Sequence, residues 1–342
     1  MNYGGQAVIE GVMMQGPEGN AIAVRTADGN IKTKVTKKKM LREKYPLLGL
    51  PLIRGSVSLV DSMATGINML TWSAAQAGES EEEKLTKKEI AFALIFAAIF
   101  SIGLFIVLPV FAASFSVDKV GAFGRSFFEG VLRVGIFLAY VLIVGQMSDM
   151  KRLFAYHGAE HKTIAAYEAG EELTPENAMK HSRIHPRCGT SFILMTMLLM
   201  ILVFTFVGQT TPVKRILIKI LCMPIVAGIS FELFRLPLKF PNSMIVKCLV
   251  APGLWMQRLT TREPSLDQLE VAIAALTSVP GFVPSYVPEG GEKAEGLTSL
   301  GSTSCCALSV QQKESKANKE NKDDFIEKSA NPIGANPNLH HL

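Results

Sequence analysis

IAFALIFAAIFSIGLFIVLPVFAASFSV, residues 90–117, holds no charged side chain. About 20 apolar residues in a helix cross roughly 30 Å of hydrocarbon, so this stretch reads as a transmembrane span and commits the chain to a bilayer. Three further stretches follow the pattern. Residues 127–147 are apolar apart from Glu129 and Arg133, which stand one helical turn apart and can pair. Residues 191–213 are free of charge, and residues 216–234 carry Lys219 near the start and Glu232 near the end. Residues 55–77 are diluted by Asp61, Asn68 and many Ser, Thr and Gly, which predicts an interfacial or re-entrant helix rather than a fifth crossing.

Composition agrees. Hydrophobic residues make up 48% and charged residues 19%, with mean hydropathy +0.26, too apolar for a disordered or ordinary water-soluble chain. The net charge of +5 is mild and the basic residues lack aromatic interleaving, so nucleic acid is not expected as a partner; the lipid bilayer is. Five cysteines, Cys188, Cys222, Cys248, Cys305 and Cys306, form no C-x-x-C pair and no regular framework, as expected of reduced thiols facing a cytosol. MNYGGQAVIEGV shows no basic region ahead of a short apolar core, so internal helices are expected to direct insertion.

The expected fold is a mainly α, polytopic membrane protein of about four transmembrane helices, with a small N-terminal β element and a disordered C-terminal tail. Residues 1–89 form a soluble or interfacial region with a glycine-rich loop. Residues 90–234 form the membrane domain, including a central loop at 149–190. Residues 235–285 are a membrane-proximal segment, and 286–342 the tail, rich in Gly, Ser, Lys, Asn and Glu. Within 1–89, AIAVRT and IKTKV flank Ala27, Asp28, Gly29 and Asn30, the signature of a hairpin. An even number of crossings places all the long soluble segments on one side. The central loop holds Lys151, Arg152, Lys162, Lys180, Arg183 and Arg187, against Lys119 with Arg125 and Lys214 with Arg215 in the opposite connections, which predicts a cytoplasmic side for the loops and both termini.

The chemistry concentrates in the central loop. Four of the six histidines are His157, His161, His181 and His185. HGAEH, residues 157–161, places His157 and His161 at i and i+4 on one helix face, where both imidazoles can reach one metal ion, with Glu160 on the same face. This H-x-x-E-H spacing is that of inverzincins, whose glutamate is a general base. A third ligand is needed, and HSRIHPRC offers His185 and Cys188 first, then His181; the downstream acids Glu168 and Glu232 are the inverzincin alternative. Glu232 at a membrane boundary calls for a partner such as Arg235 or a metal. In the glycine-dense stretch GGQAVIEGVMMQGPEG, Glu10 can face the metal. The bland alternatives are a solvated helix face for the histidines and a small buried hydrophobe for Cys188.

GGQAVIEGVMM, YHGAEHKTI with Glu168 following, and HPRCGTSF, in that order, resemble the YqhQ-like family of bacterial membrane proteins over about residues 2–280. The resemblance implies a metal-dependent enzyme in the bacterial inner membrane, with His157, Glu160, His161, His185 and Cys188 at hallmark positions. The leading expectation is therefore a hydrolase with a divalent metal, zinc by its ligands, and an unidentified substrate. The alternative is a non-enzymatic assembly, scaffold or transport-associated factor with a structural metal or ion-pair network. A pore or carrier fits less well, since Pro109 and Pro224 are single kink sites and no broken-helix pair is present.

Overall fold

The computed structural model describes residues 3–37, 46–77, 87–115, 121–205, 211–240 and 242–286. The expected tail lies outside them beyond residue 286.

The N-terminal segments GGQAV, GVMMQG, GNAIAVR and IKTKVTK form β1 (Gly4–Val8), β2 (Gly11–Gly16), β3 (Gly19–Arg25) and β4 (Ile31–Lys37), an antiparallel meander in the order β1-β2-β3-β4. The expected hairpin is its last turn: Arg25 pairs with Ile31, Thr26 N–H donates to the Asn30 carbonyl at 2.9 Å, and Gly29 takes φ 81°. Residues 4–16, expected as a glycine-rich loop, are two strands instead. Both faces of the sheet are covered, which hides the alternation that marks a half-buried strand. Val12, Met14, Ala21 and Ala23 enter one apolar cluster, whereas Val8, Met13, Ile22 and Val24 enter another with Met69.

Helix α1 (Ile53–Ala77) supplies Met69 and the adjoining Trp72 on that second face. α2 (Lys87–Ile102) and α3 (Leu108–Phe115) are joined by a π-helical turn at Gly103–Val107, and α4 (Gly121–Val144) follows. Then come α5 (Ser148–Glu168), α6 (Pro175–Met179), α7 (Gly189–Thr205), α8 (Pro212–Phe234), α9 (Leu236–Lys239), α10 (Met244–Thr260) and α11 (Leu266–Thr277). The polar helix α5 crosses the other face of the sheet, where Tyr156, Ala159 and Ile164 meet Leu269, Ala272 and Leu276 of α11.

Among the described residues three helices are long and apolar enough to cross a membrane, Lys88–Phe115, Phe123–Val144 and Ile216–Phe234, and they fit a membrane protein. Of the about four spans expected, three are described as such helices. The third expected span, 191–213, is not one helix: its described part, Gly189–Phe204, is a shorter apolar helix, and residues 206–210 lie outside the described residues. Pro212 also forces the chain to restart, with Thr211 extended at φ −60°, ψ 151° ahead of it.

Three charges inside these helices, Glu129, Arg133 and Lys219, are buried together. Arg133 Nη2 donates to Glu129 Oε1 at 2.7 Å, the expected one-turn pair, and Lys219 Nζ of α8 donates to the same oxygen. Arg133 Nε also donates at 2.8 Å to the carbonyl of Phe105, within the π turn. A π turn offsets the regular ladder of helical hydrogen bonds, so its carbonyls can turn toward another donor. The cluster thus ties three apolar helices through polar groups that are costly to expose to lipid.

Candidate metal centre

α5 carries the first two candidate ligands because HGAEH continues a regular helix from Ser148, placing His157 and His161 one turn apart with ring centroids 4.5 Å apart. Each ring is oriented by a carbonyl from another segment. His157 Nδ1 donates to Thr260 O at 2.9 Å, at the end of α10, and His161 Nδ1 donates to Arg183 O at 2.6 Å. A carbonyl only accepts, so both rings carry the proton on Nδ1 and present an Nε2 lone pair, as ligating histidines do. Burial pushes the His161 pKa below the usual imidazole value, keeping that ring neutral.

Cys188, just before α7, brings its Sγ to 3.2 Å from His157 Nε2 and 3.0 Å from Thr190 Oγ1. One donor atom from each of His157, His161 and Cys188 lies within 4.8 Å of the others. Zinc–nitrogen near 2.0 Å and zinc–sulfur near 2.3 Å at tetrahedral angles set such atoms roughly 3.5 Å apart, so this donor set fits zinc with little movement. Glu160 lies on the same helix with its carboxylate buried against the Gly5 N–H of β1. Burial pushes its pKa up to about 7, opposed by His157 and the Gly5 N–H. Its Oε2 is buried and has no hydrogen-bond partner among the described residues. A Cβ at Gly5 would stand 2.4 Å from Met13 O and 3.2 Å from Glu160 Cδ, so glycine is what lets β1 approach this carboxylate.

The other expected site residues stand around this cluster in pairs of their own. His185 Nε2 lies 3.3 Å from Glu168 Oε2, and its Nδ1 accepts from Arg187 N–H at 3.4 Å. Arg187 also reaches Glu168, and the hydrogen bond from His185, followed by Arg187, pulls the Glu168 pKa down to about 2. His181 pairs with Glu171 at 3.1 Å. Glu10, at φ 53° in the β1–β2 turn, pairs with Arg152 and accepts from the Tyr156 hydroxyl at 3.3 Å. Burial, then Glu10, pushes the Tyr156 pKa up to about 12. Glu232 pairs with Arg54 of α1 through two bonds of 2.7 and 2.5 Å, so Arg54 takes the place expected for Arg235.

Several contributors were invisible in the sequence. Gln257 accepts from His185 N–H at 2.8 Å and donates to His185 O and Ser191 Oγ, clamping the loop ahead of Cys188. Lys162 is buried yet satisfied, donating to Met179 O and His181 O and pairing with Glu263 at 3.0 Å. Backbone carbonyls and solitary Gln or Lys residues carry no motif.

A helical protein with apolar spans and a buried His-His-Cys cluster beside a carboxylate with one unpartnered oxygen among the described residues is the class these features define. By sequence the chain belongs to the family described as "Protein of unknown function (DUF1385)", which matches residues 50–281. It is 35% identical over 299 residues to "Uncharacterized protein YqhQ" of Bacillus subtilis (strain 168), covering 81% of this chain and 92% of that protein. The YqhQ-like resemblance therefore holds. No solved structure matches.

Proposed function

We propose that the chain is a metal-dependent membrane hydrolase in which His157, His161 and Cys188 hold a divalent cation and Glu160 accepts a proton from the attacking water. The observation that carries this reading is the conjunction of three donor atoms within 4.8 Å with a buried carboxylate oxygen on the helix of the two histidines that lacks a partner among the described residues. Mixed imidazole and thiolate donors suit borderline-soft zinc, whereas magnesium and calcium take oxygen ligands. A cation held there supplies a Lewis acid for a scissile carbonyl. The chain supplies the rest: Thr260 O and Arg183 O hold the rings in register, and Glu160 moves the proton. The bond cleaved is a peptide, amide or ester at the membrane surface.

The site belongs, on this proposal, to the cytoplasmic face of a bacterial inner membrane, and four segments cross. Residues from β1–β3, α5, α6 and α11 share one apolar core, so each intervening stretch returns to the side it left. Lys88–Phe115 and Phe123–Val144 make one return. For Ile216–Phe234 to make the other, a fourth crossing is required, and the apolar helix α7 is its candidate. The excess of Lys and Arg in the central segment favours the cytoplasm.

A second reading treats the cluster as a structural metal or polar clamp in a non-enzymatic assembly or transport-associated factor. It is favoured by the way the cluster joins α5, the start of α7 and the end of α10. Zinc-loaded Glu160→Gln discriminates, assayed against a panel of membrane peptides and acyl esters. The hydrolase reading expects turnover by wild type and none by the variant at equal zinc content. Wild-type turnover by the variant overturns it.

A further inference from the structure

Helix α10 lies in the segment expected only as membrane-proximal, and its outward face is apolar from end to end. Met244, Ile245, Cys248, Ala251, Pro252 and Trp255 recur at intervals of one, three and four residues and are all exposed, Met244 at 74% and Ile245 at 81%. The opposite face, with Val246, Gly253, Met256, Gln257 and Thr260, is buried. Leaving the first face in water would sacrifice the burial of several large side chains, each worth about 1.5–3 kcal/mol.

We infer that α10 lies in the bilayer interface with this face against lipid hydrocarbon. The occupant follows from continuity with α7. An apolar groove between the two helices is lined by Met195 and Leu198 on one side and by Leu249, Val250 and Leu254 on the other. Leu198 stands roughly 14 Å along α7 from Gly189 at 1.5 Å per residue, well inside an uncharged apolar helix. Leu198 is itself 36% exposed, so the outer surfaces of α7 and α10 run together and meet the same solvent. The ends of α10 suit an interface too: Trp255 is an aromatic of the type that settles at headgroup level, and Lys247 and Arg258 are exposed and long enough to reach water from the edge and end of the stripe. Close packing holds α10 in this position, because a Cβ at Gly253 would stand 2.7 Å from Ser191 Cβ.

This inference does not rest on the metal reading, but it locates that site. Thr260, whose carbonyl orients His157, is on the buried face of α10 opposite the stripe, so the cluster lies on the side of this helix away from lipid.

The chain's two tryptophans, Trp72 and Trp255, supply the probe. The full-length Trp72→Phe variant, reconstituted in phosphatidylcholine–phosphatidylglycerol vesicles, leaves Trp255 as the only emitter. Brominated phosphatidylcholine is expected to lower its emission about two-fold, most strongly with bromine near the headgroup end of the chain, while aqueous iodide quenches it little. Quenching by iodide but not by bromolipid would overturn the inference by placing the face in water. Quenching by neither would overturn it equally by showing a protein partner over the face. If Trp72→Phe does not fold, the difference between wild type and Trp255→Phe gives the same readout.

Discussion

Gly158→Ala examines the contact that ties the ligand helix to the end of α10. A Cβ at Gly158 would stand 2.1 Å from the Arg262 carbonyl oxygen. Carbon and oxygen approach to about 3.3 Å, so the segment carrying Arg262 must retreat by about 1.2 Å. That segment is held by Arg262 N–H donating to Phe154 O at 2.9 Å and by the Arg262 guanidinium donating to Gly145 O at 3.0 Å. Two residues upstream, Thr260 O accepts from His157 Nδ1 at 2.9 Å, and the same retreat takes that bond out of range. Overpacking costs about 1–3 kcal/mol, while replacing a helical glycine by alanine returns about 1 kcal/mol, for a net loss of up to about 2 kcal/mol. Losing the carbonyl that orients a ligating ring lowers metal affinity about 10–100-fold. Melting in detergent and zinc competition against a chelator read the two effects. Gly135→Ala, in α4 where a Cβ meets nothing within 4 Å, is the control and should be neutral or slightly stabilising. A Gly158→Ala variant as stable as wild type with unchanged zinc affinity would refute the reasoning.

Other perturbations have equally definite outcomes. Glu129→Gln removes the carboxylate shared by Arg133 and Lys219 inside the apolar helices and should cost about 3–5 kcal/mol, read as a large drop in melting temperature; a shift no larger than that of Arg25→Ala at the surface would contradict the cluster's role. Arg54→Met leaves Glu232 without its two-bond partner and should loosen α1 from α8, seen as faster hydrogen exchange in α1; unchanged exchange would count against it. Glu168 has its folded pKa depressed to about 2 from 4.5, so its stabilisation is fully present above pH 4.5 and is lost as pH falls toward 2. Since that side chain is partly exposed, the contribution is about 1 kcal/mol, and Glu168→Gln should flatten the acid limb of a stability profile; parallel acid limbs would contradict the pairing with His185 and Arg187.

Legibility in the sequence followed the range of the interactions. HGAEH declared its shared helix face because i, i+4 geometry is local, and the hairpin around Asp28 and Gly29 declared itself through turn chemistry. The companion of the two histidines was left open between His185, Cys188 and distant acids, because it reaches the site by tertiary packing across 31 residues. Glu232 and Arg54 meet across 178 residues, and no spacing rule anticipates such a pair. β1 and β2 were hidden by glycines and by burial on both faces. The apolar stripe of α10 was masked by Lys247 and Pro252, which interrupt a hydropathy scan but sit at the edge of the stripe or within its exposed face. The third expected span, to 213, runs too far because Thr211 is extended and Pro212 starts a new helix, a break that apolar composition does not register.

The central claim is that His157, His161 and Cys188 form one metal site. Elemental analysis of detergent-purified protein tests it most directly, with wild type measured beside His157→Ala/His161→Ala, Cys188→Ala and Glu160→Gln. The account predicts about one zinc per chain in wild type and in Glu160→Gln, and its loss in the other two variants. Wild-type protein that contains no metal and takes up no added zinc would contradict it.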